Sequence, residues 1–272
     1  MMPAASAAPS VSTHPPVPAA APAFLASPAG AVVGTAVHDW IETWDFSALT
    51  ATEDEDTPLA RHLSAARLPA PRDEQPAWPA ALHELFSILR LIKLPGCGAT
   101  PLHALCPDAH GSEWHFHLPL AGNLSAQSLA RCFAGHAAPE HRAYAPQLAA
   151  LSEEKFNGLL QGFIDRLARH GDAWGVIDWK TNRLGPALND YDESALLRCA
   201  MESHYLLQTH LYLVALRRYL RSLGLVNAPL VGAWLVFLRA LAPGSTRGVL
   251  HIQPPPAMLD ALDALFAPAP SL

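Results

Sequence analysis

The stretch "GFIDRLARHGDAWGVIDWKTN", residues 162–182, decides how the rest of the chain is read. Two apolar runs flank a Gly-Asp step, and each run carries one aspartate among its hydrophobic residues, Asp165 and Asp178. Lys180 follows two positions after the second. Gly171 followed by Asp172 suits a two-residue type II′ hairpin turn, which wants glycine first. His170 then faces Ala173, and counting outward along both strands sets Asp165 opposite Asp178, with Cβ atoms ~5 Å apart. Side chains alternate along a strand, so Lys180 shares a face with Asp178. Three ionisable groups converge on one spot of a largely apolar hairpin.

Like charges placed opposite each other destabilise a sheet, and an unpaired buried carboxylate is expensive. A salt-bridged hairpin, with Lys180 neutralising one aspartate, leaves the second carboxylate without a reason. A divalent cation accounts for both, and hard oxygen ligands favour Mg²⁺ or Mn²⁺. The lysine adds to this. The chain has 15 arginines but only three lysines, Lys93, Lys155 and Lys180. A compact ammonium that tunes its pKa and donates to water is a different tool from a guanidinium.

The remaining sequence is compatible with such a site. In 272 residues, half of them hydrophobic, there is enough material for one sizeable core. Net charge is −6, which argues against a basic nucleic-acid clamp but not against a carboxylate metal site. Cys97, Cys106, Cys132 and Cys199 form no CxxC pair, so zinc-ribbon and iron–sulfur spacings are absent and free thiols of a reducing cytoplasm are expected. No segment reaches the ~18 apolar residues of a membrane span, and the N-terminus lacks the basic region of a secretory signal. Residues 1–30, rich in Ala, Pro and Ser, read as a disordered arm or linker ahead of one domain over 31–272.

Along that domain, "GTAVHDWIETWDF" (34–46) reads as a helix with Thr35 as N-cap and Asp39 and Glu42 early in it. "ATEDEDTP" (51–58) reads as a solvated acidic loop. A second helix follows Pro79, and "SEWHFHLPL" (112–120) alternates like a strand. A helical pattern from about 193 to 223 is broken near Ser203, and "LVGAWLVFLRAL" (230–241) reads as a buried strand. A short helix closes the chain. The mixture predicts an α/β domain with a central sheet.

Asp165, the following "DWK" and their flanking motifs resemble the PD-(D/E)xK nuclease superfamily. "GFIDRL…VIDWKTNRLG", "HYLLQTHLYLVALRRYL" and "GAWLVFLRA", preceded by "GTAVHDWIE" and "SEWHFHLP", are similar in order to the C-terminal nuclease domain of RecB, the beta subunit of exodeoxyribonuclease V. The resemblance covers roughly 31–270. It implies a restriction-endonuclease-like core, a mixed central β-sheet flanked by helices, and Mg²⁺-dependent hydrolysis of DNA in recombinational double-strand-break repair. It implies His38, Asp165 and Asp178 as metal ligands, and Asp178, Lys180 and Glu113 as catalytic residues. Gln208 and Tyr212 match its QxxxY motif, and at i,i+4 spacing they share a helix face; with Tyr191 they are implied to position DNA.

The implied partners are single-stranded DNA ends, a RecB-type helicase region and the RecC and RecD subunits, with RecA as a docking partner. Two features depart from the whole enzyme. No G-x-x-x-x-GK-[ST] loop is present, so the chain shows no ATPase motif. The acidic balance makes strong autonomous phosphate binding unexpected, although Arg217, Arg218 and Arg221 offer either a local basic patch or a solvated helix face. Two other readings stay open here. One is a non-catalytic docking or RecA-loading module left from a truncated RecB. The other is a standalone nuclease of the CRISPR-associated type, whose four-cysteine cluster is not matched.

Overall fold

A computed structural model describes residues 21–42, 46, 66–71, 77–106, 112–120, 124–151 and 158–266. Residues 1–20 of the arm and the acidic stretch 51–58 lie outside the described residues. A five-stranded sheet forms the centre, in the order β1 (Ser112–Pro119), β2 (Leu159–His170), β3 (Ala173–Lys180), β4 (Leu230–Phe237) and β5 (Val249–Ile252). The sheet is mixed: β3 pairs parallel with β4, and the other neighbours are antiparallel. Helices pack on both faces, so the fold is α/β of the restriction-endonuclease-like type.

The hairpin forms in the register set by its turn. His170 pairs with Ala173, Ala168 with Gly175 and Arg166 with Ile177. Gly171 takes φ 61° while Asp172 stays at negative φ, the sign pattern of a type II′ turn. The ladder stops at Arg166–Ile177. β3 and β4 are the central pair. From Gly175 and Gly232 onward every residue of both strands is buried, which is why "LVGAWLVF" lacks alternation.

One face of the sheet is covered by α1 (Ala23–Ala26), α2 (Ala31–Glu42), α3 (Trp78–Leu91) and α4 (Leu102–Leu105), which pack Phe24, Val37, Ile41, Leu85 and Leu89 against Ile177, Trp179 and Trp234. The other is covered by α5 (Ala126–His136), α6 (Ala145–Ala149), α7 (Glu193–Glu202), α8 (Tyr205–Ser222) and α9 (Pro256–Asp263). Along α8, Leu206, Thr209, His210, Leu213, Leu216 and Leu220 are buried at three- and four-residue spacing. The break expected near Ser203 falls at His204, which adopts the left-handed φ of 58° and whose ring Nδ1 lies 2.7 Å from the Tyr144 hydroxyl.

Three local expectations change. The first long helix begins at Ala31, so Thr35 is inside it rather than capping it, and Glu42 is its last residue rather than an early one. Gly34 in its first turn matters for docking: a Cβ there would stand 3.1 Å from the Thr181 hydroxyl, so the helix lies close against the chain just after Lys180. Ordered structure begins before residue 31, with a helix at Ala23–Ala26. Phe24 is fully buried, and the buried Arg239 guanidinium stacks 4.7 Å from its ring while donating to the carbonyls of Phe24, Ser27, Pro28 and Thr181. The four cysteines are buried free thiols. No helix among the described residues is long and apolar enough to cross a membrane.

Candidate active site

The sheet splays where β2 and β3 stop pairing, and the charged residues meet there. Asp165 and Asp178 come together, but not as the flat cross-strand pair that counting predicts. Asp165 turns its carboxylate to the backbone of β3, where Oδ2 accepts the N–H of Trp179 at 2.7 Å. On the β1 side, Ser112 pairs with Arg166 and Trp114 with Ile164, leaving Glu113 opposite Asp165 with a left-handed φ of 48°. A positive φ on a non-glycine residue within a strand bends it locally.

Asp178 and Lys180 sit in the buried central strand, 3 % and 7 % exposed. Lys180 Nζ is 2.7 Å from Asp178 Oδ2. The pair is buried, so the ammonium offsets the Asp178 charge away from bulk water. Lys180 Nζ also donates to Gln208 Oε1 at 3.2 Å and lies 3.7 Å from the centre of the Tyr205 ring. Gln208 Nε2 in turn donates to the Tyr212 hydroxyl at 2.6 Å, and the Tyr205 hydroxyl donates to Asn182 Oδ1 at 3.2 Å.

His38 approaches from α2, with Nδ1 3.5 Å from Asp165 Oδ2. Burial disfavours the charged imidazole, but the hydrogen bond and charge of Asp165 outweigh it and raise the His38 pKa. Burial likewise pushes the Asp165 carboxyl up, yet His38 and the Trp179 N–H bring it below its ordinary value. For Asp178 burial wins: its pKa is pushed up to about 7, with the Asp165 charge adding to the rise and Lys180 opposing it. The two carboxylates thus divide into one held ionised and one resisting ionisation, the signature of a site short of positive charge.

The donor set fits a hard divalent cation. It offers two meeting carboxylates, and Mg²⁺ is commonly held by one or two carboxylates with water completing its shell. Among the described residues no three His, Cys, Asp or Glu side chains form a closed metal cluster.

His38, Asp39, Glu42, Glu113, Asp165 and Trp179 line one open cleft. Asp39 and Glu42 also line it, which a place among the early charges of a helix does not indicate. Glu42 ends its helix, where a carboxylate opposes the macrodipole, and burial followed by the neighbouring Glu113 raises its pKa. The i,i+4 spacing of His38 and Glu42 was the available signal.

The three residues expected to position DNA differ in their surroundings. Tyr191 is buried at 3 % exposure, and its hydroxyl accepts the Leu184 N–H, so it holds the loop after β3 and presents no surface to a strand. Gln208 and Tyr212 reach the site, but their polar ends are engaged with Lys180 and with each other. The arginine patch is largely neutralised: Arg217, Arg218 and Arg221 clamp α8 to α9 through Asp260 and Asp263.

Comparisons with known proteins point to one family. The RecBCD enzyme subunit RecB of Haemophilus influenzae is 28 % identical over 254 residues, covering 89 % of this chain. RecB of Mycobacterium tuberculosis is 29 % identical over 266 residues, again 89 % of the chain, and RecB of Escherichia coli is 28 % identical over 248 residues, 88 % of the chain. The chain spans 19–24 % of the length of these relatives. A family model, the PD-(D/E)XK nuclease superfamily, matches residues 103–266 and so takes in β1 to β5 with Glu113, Asp165, Asp178 and Lys180. On that match, and with the sheet, the splayed hairpin and the Asp–Lys pair in place, the chain belongs to the PD-(D/E)XK nuclease superfamily.

Proposed function

We propose that this chain is a Mg²⁺-dependent deoxyribonuclease of the exodeoxyribonuclease V type, hydrolysing phosphodiester bonds in single-stranded DNA. The observation that carries this reading is the buried Asp178 carboxylate, set beside Asp165 and ion-paired to Lys180 at 2.7 Å. Asp165 and Asp178 would hold the cation, with His38 on the Asp165 side. Bound there, the cation supplies positive charge to the scissile phosphate and acidifies a nucleophilic water.

Lys180 has three N–H donors. Asp178, Gln208 and the Tyr205 ring fix the ammonium, whose positive charge would orient the attacking water and counter the charge growing on the phosphate. Gln208 and Tyr212 act through Lys180, holding its head group in place. Glu113, facing the same cleft, accepts from water on the open side. Sequence readout is not needed for such a reaction, and no base-reading element is invoked.

The names of the relatives support a role within a larger assembly. Each is the RecB subunit of a RecBCD enzyme, and this chain carries no ATPase motif. The reading is therefore of a nuclease module that receives strands from a RecB-type helicase region working with RecC and RecD in recombinational repair. The test is cleavage of an end-labelled single-stranded oligonucleotide by the purified chain in chelator, Mg²⁺ or Mn²⁺. Cleavage that needs the cation and disappears in Asp178→Ala and Lys180→Ala is expected. Cation-dependent cleavage that survives Asp178→Ala would overturn the assignment.

A further inference from the structure

The outer half of the sheet carries an exposed aromatic row that the catalytic reading does not use. On β1, Trp114, Phe116 and Leu118 face the α8 side, so the alternate residues His115 and His117 point to the opposite face and are exposed. On β2 their partners are Phe163 and Gln161, both exposed, with Phe163 at 48 %, and Leu159 continues that face opposite Pro119. His115 and Phe163 are direct cross-strand partners, their rings stacked with centroids 4.4 Å apart and planes within 11°. The His117 ring tilts against His115 at 4.2 Å. An exposed phenylalanine in a flat stack is an unusual use of a β-strand surface, which normally turns polar groups to water.

The position of this row bears on its use. Two residues further along each strand stand Glu113 and Asp165, which line the cleft. At ~3.3 Å per residue, the His115–Phe163 stack lies about 7 Å from the cleft carboxylates along the strands. The chain's charge balance gives little general attraction for a polyanion. Its net charge is −6, and the arginines of α8 are paired with Asp260 and Asp263. Phosphate neutralisation is thus a weak source of affinity here. Base faces need no cation, only an accessible aromatic plane, and they are available only in an unpaired strand.

We propose that the His115–Phe163 stack, flanked by His117, is a base-stacking subsite that holds a nucleobase of single-stranded DNA beside the cleavage cleft. The proposal rests on the nuclease reading of the cleft and adds where the neighbouring nucleotide sits. It also makes selection for unpaired DNA a property of this domain, since a duplex hides its base faces.

The test measures equilibrium binding of a fluorescent single-stranded oligonucleotide to the full chain in chelator at low salt, and separately measures Mg²⁺-dependent cleavage. Phe163→Leu, which keeps an apolar side chain, is expected to weaken binding roughly 5- to 100-fold, the range of one lost stack, and to raise KM with little change in kcat. Phe163→Trp is expected to bind at least as well as the parent, which separates stacking from a folding defect. An oligonucleotide of abasic residues should bind the parent and Phe163→Leu equally. If Phe163→Leu binds and cuts normal DNA as the parent does, the subsite is overturned while the nuclease reading stands. If the parent does not cut in any cation, the nuclease reading falls, and the binding comparison still decides whether the stack takes a base.

Discussion

Asp165 accepts the backbone N–H of Trp179 at 2.7 Å, so a side-chain oxygen occupies the place that a strand carbonyl would fill if the ladder continued. This bond fixes the carboxylate against the strand that carries Asp178 and Lys180, and it gives Asp165 a structural role beside its proposed chemical one. Its two roles are separable. Asp165→Asn keeps an acceptor for Trp179 but loses the charge, whereas Asp165→Ala loses both. Thermal melts should show Asp165→Asn close to the parent and Asp165→Ala less stable by about 1–3 kcal/mol. Both should lose cation-dependent cleavage.

Asp178 gives the metal-free protein a distinctive pH response. Its pKa is about 7 in the folded chain against an ordinary 3.8, so the folded state binds more protons than the unfolded state between those values. The associated stability is present below 3.8 and lost as pH rises through 7. Asp178→Asn should flatten this part of the profile in chemical denaturation. At pH 8, Mg²⁺ or Mn²⁺ should raise the Tm of the parent, by mass action on the folded state alone, and leave Asp178→Asn unmoved.

Gln208 holds Lys180 from one side while itself donating to Tyr212. Removing such a support typically costs 10- to 100-fold at a metal site. Gln208→Ala should lower kcat by about that factor with KM nearly constant, and Tyr212→Phe, which keeps the ring packing, should produce a smaller loss. A rise in KM alone would instead indicate direct strand contact.

Arg239 joins the beginning of the domain to the residue after Lys180. Among the described residues its hydrogen-bond partners are backbone carbonyls, those of Phe24, Ser27, Pro28 and Thr181. Arg239→Ala should destabilise the chain by about 3 kcal/mol or more, because charged hydrogen bonds contribute most and the freed carbonyls are left in the interior. Removal of residues 1–28 should cost a comparable amount. Combining the two should be markedly less than additive in urea denaturation, since both break the same clamp.

His210 opposes Asp178 in the pH profile. Fully buried in α8, it donates Nδ1–H to the Leu206 carbonyl at 2.6 Å, and burial lowers its pKa to about 3. A depressed folded pKa means that its contribution is complete above about 6.5 and is lost as pH falls toward 3. Each pH unit below 6.5 should remove up to about 1.4 kcal/mol, and His210→Leu should abolish that slope in acid denaturation monitored by circular dichroism.

Local chemistry made much of this protein readable from its sequence. Gly171–Asp172 set the turn, the turn set the register, and the register brought Asp165, Asp178 and Lys180 together, because strand alternation and turn geometry are short-range properties of the chain. The helix break after Ser203 and the unbroken burial of β4 were legible for the same reason. The tertiary structure decided what depends on which distant segment lands where. It turned Asp165 out of the ladder onto Trp179 and spent Gln208 and Tyr212 on Lys180. Tyr191 went into the core. Glu42 was brought beside Glu113, and Phe24 was packed under Arg239. No pattern within a few residues encodes those contacts. They follow from the close approach of α2 and α8 to the end of β3, where burial and charge are settled by neighbours far apart in sequence.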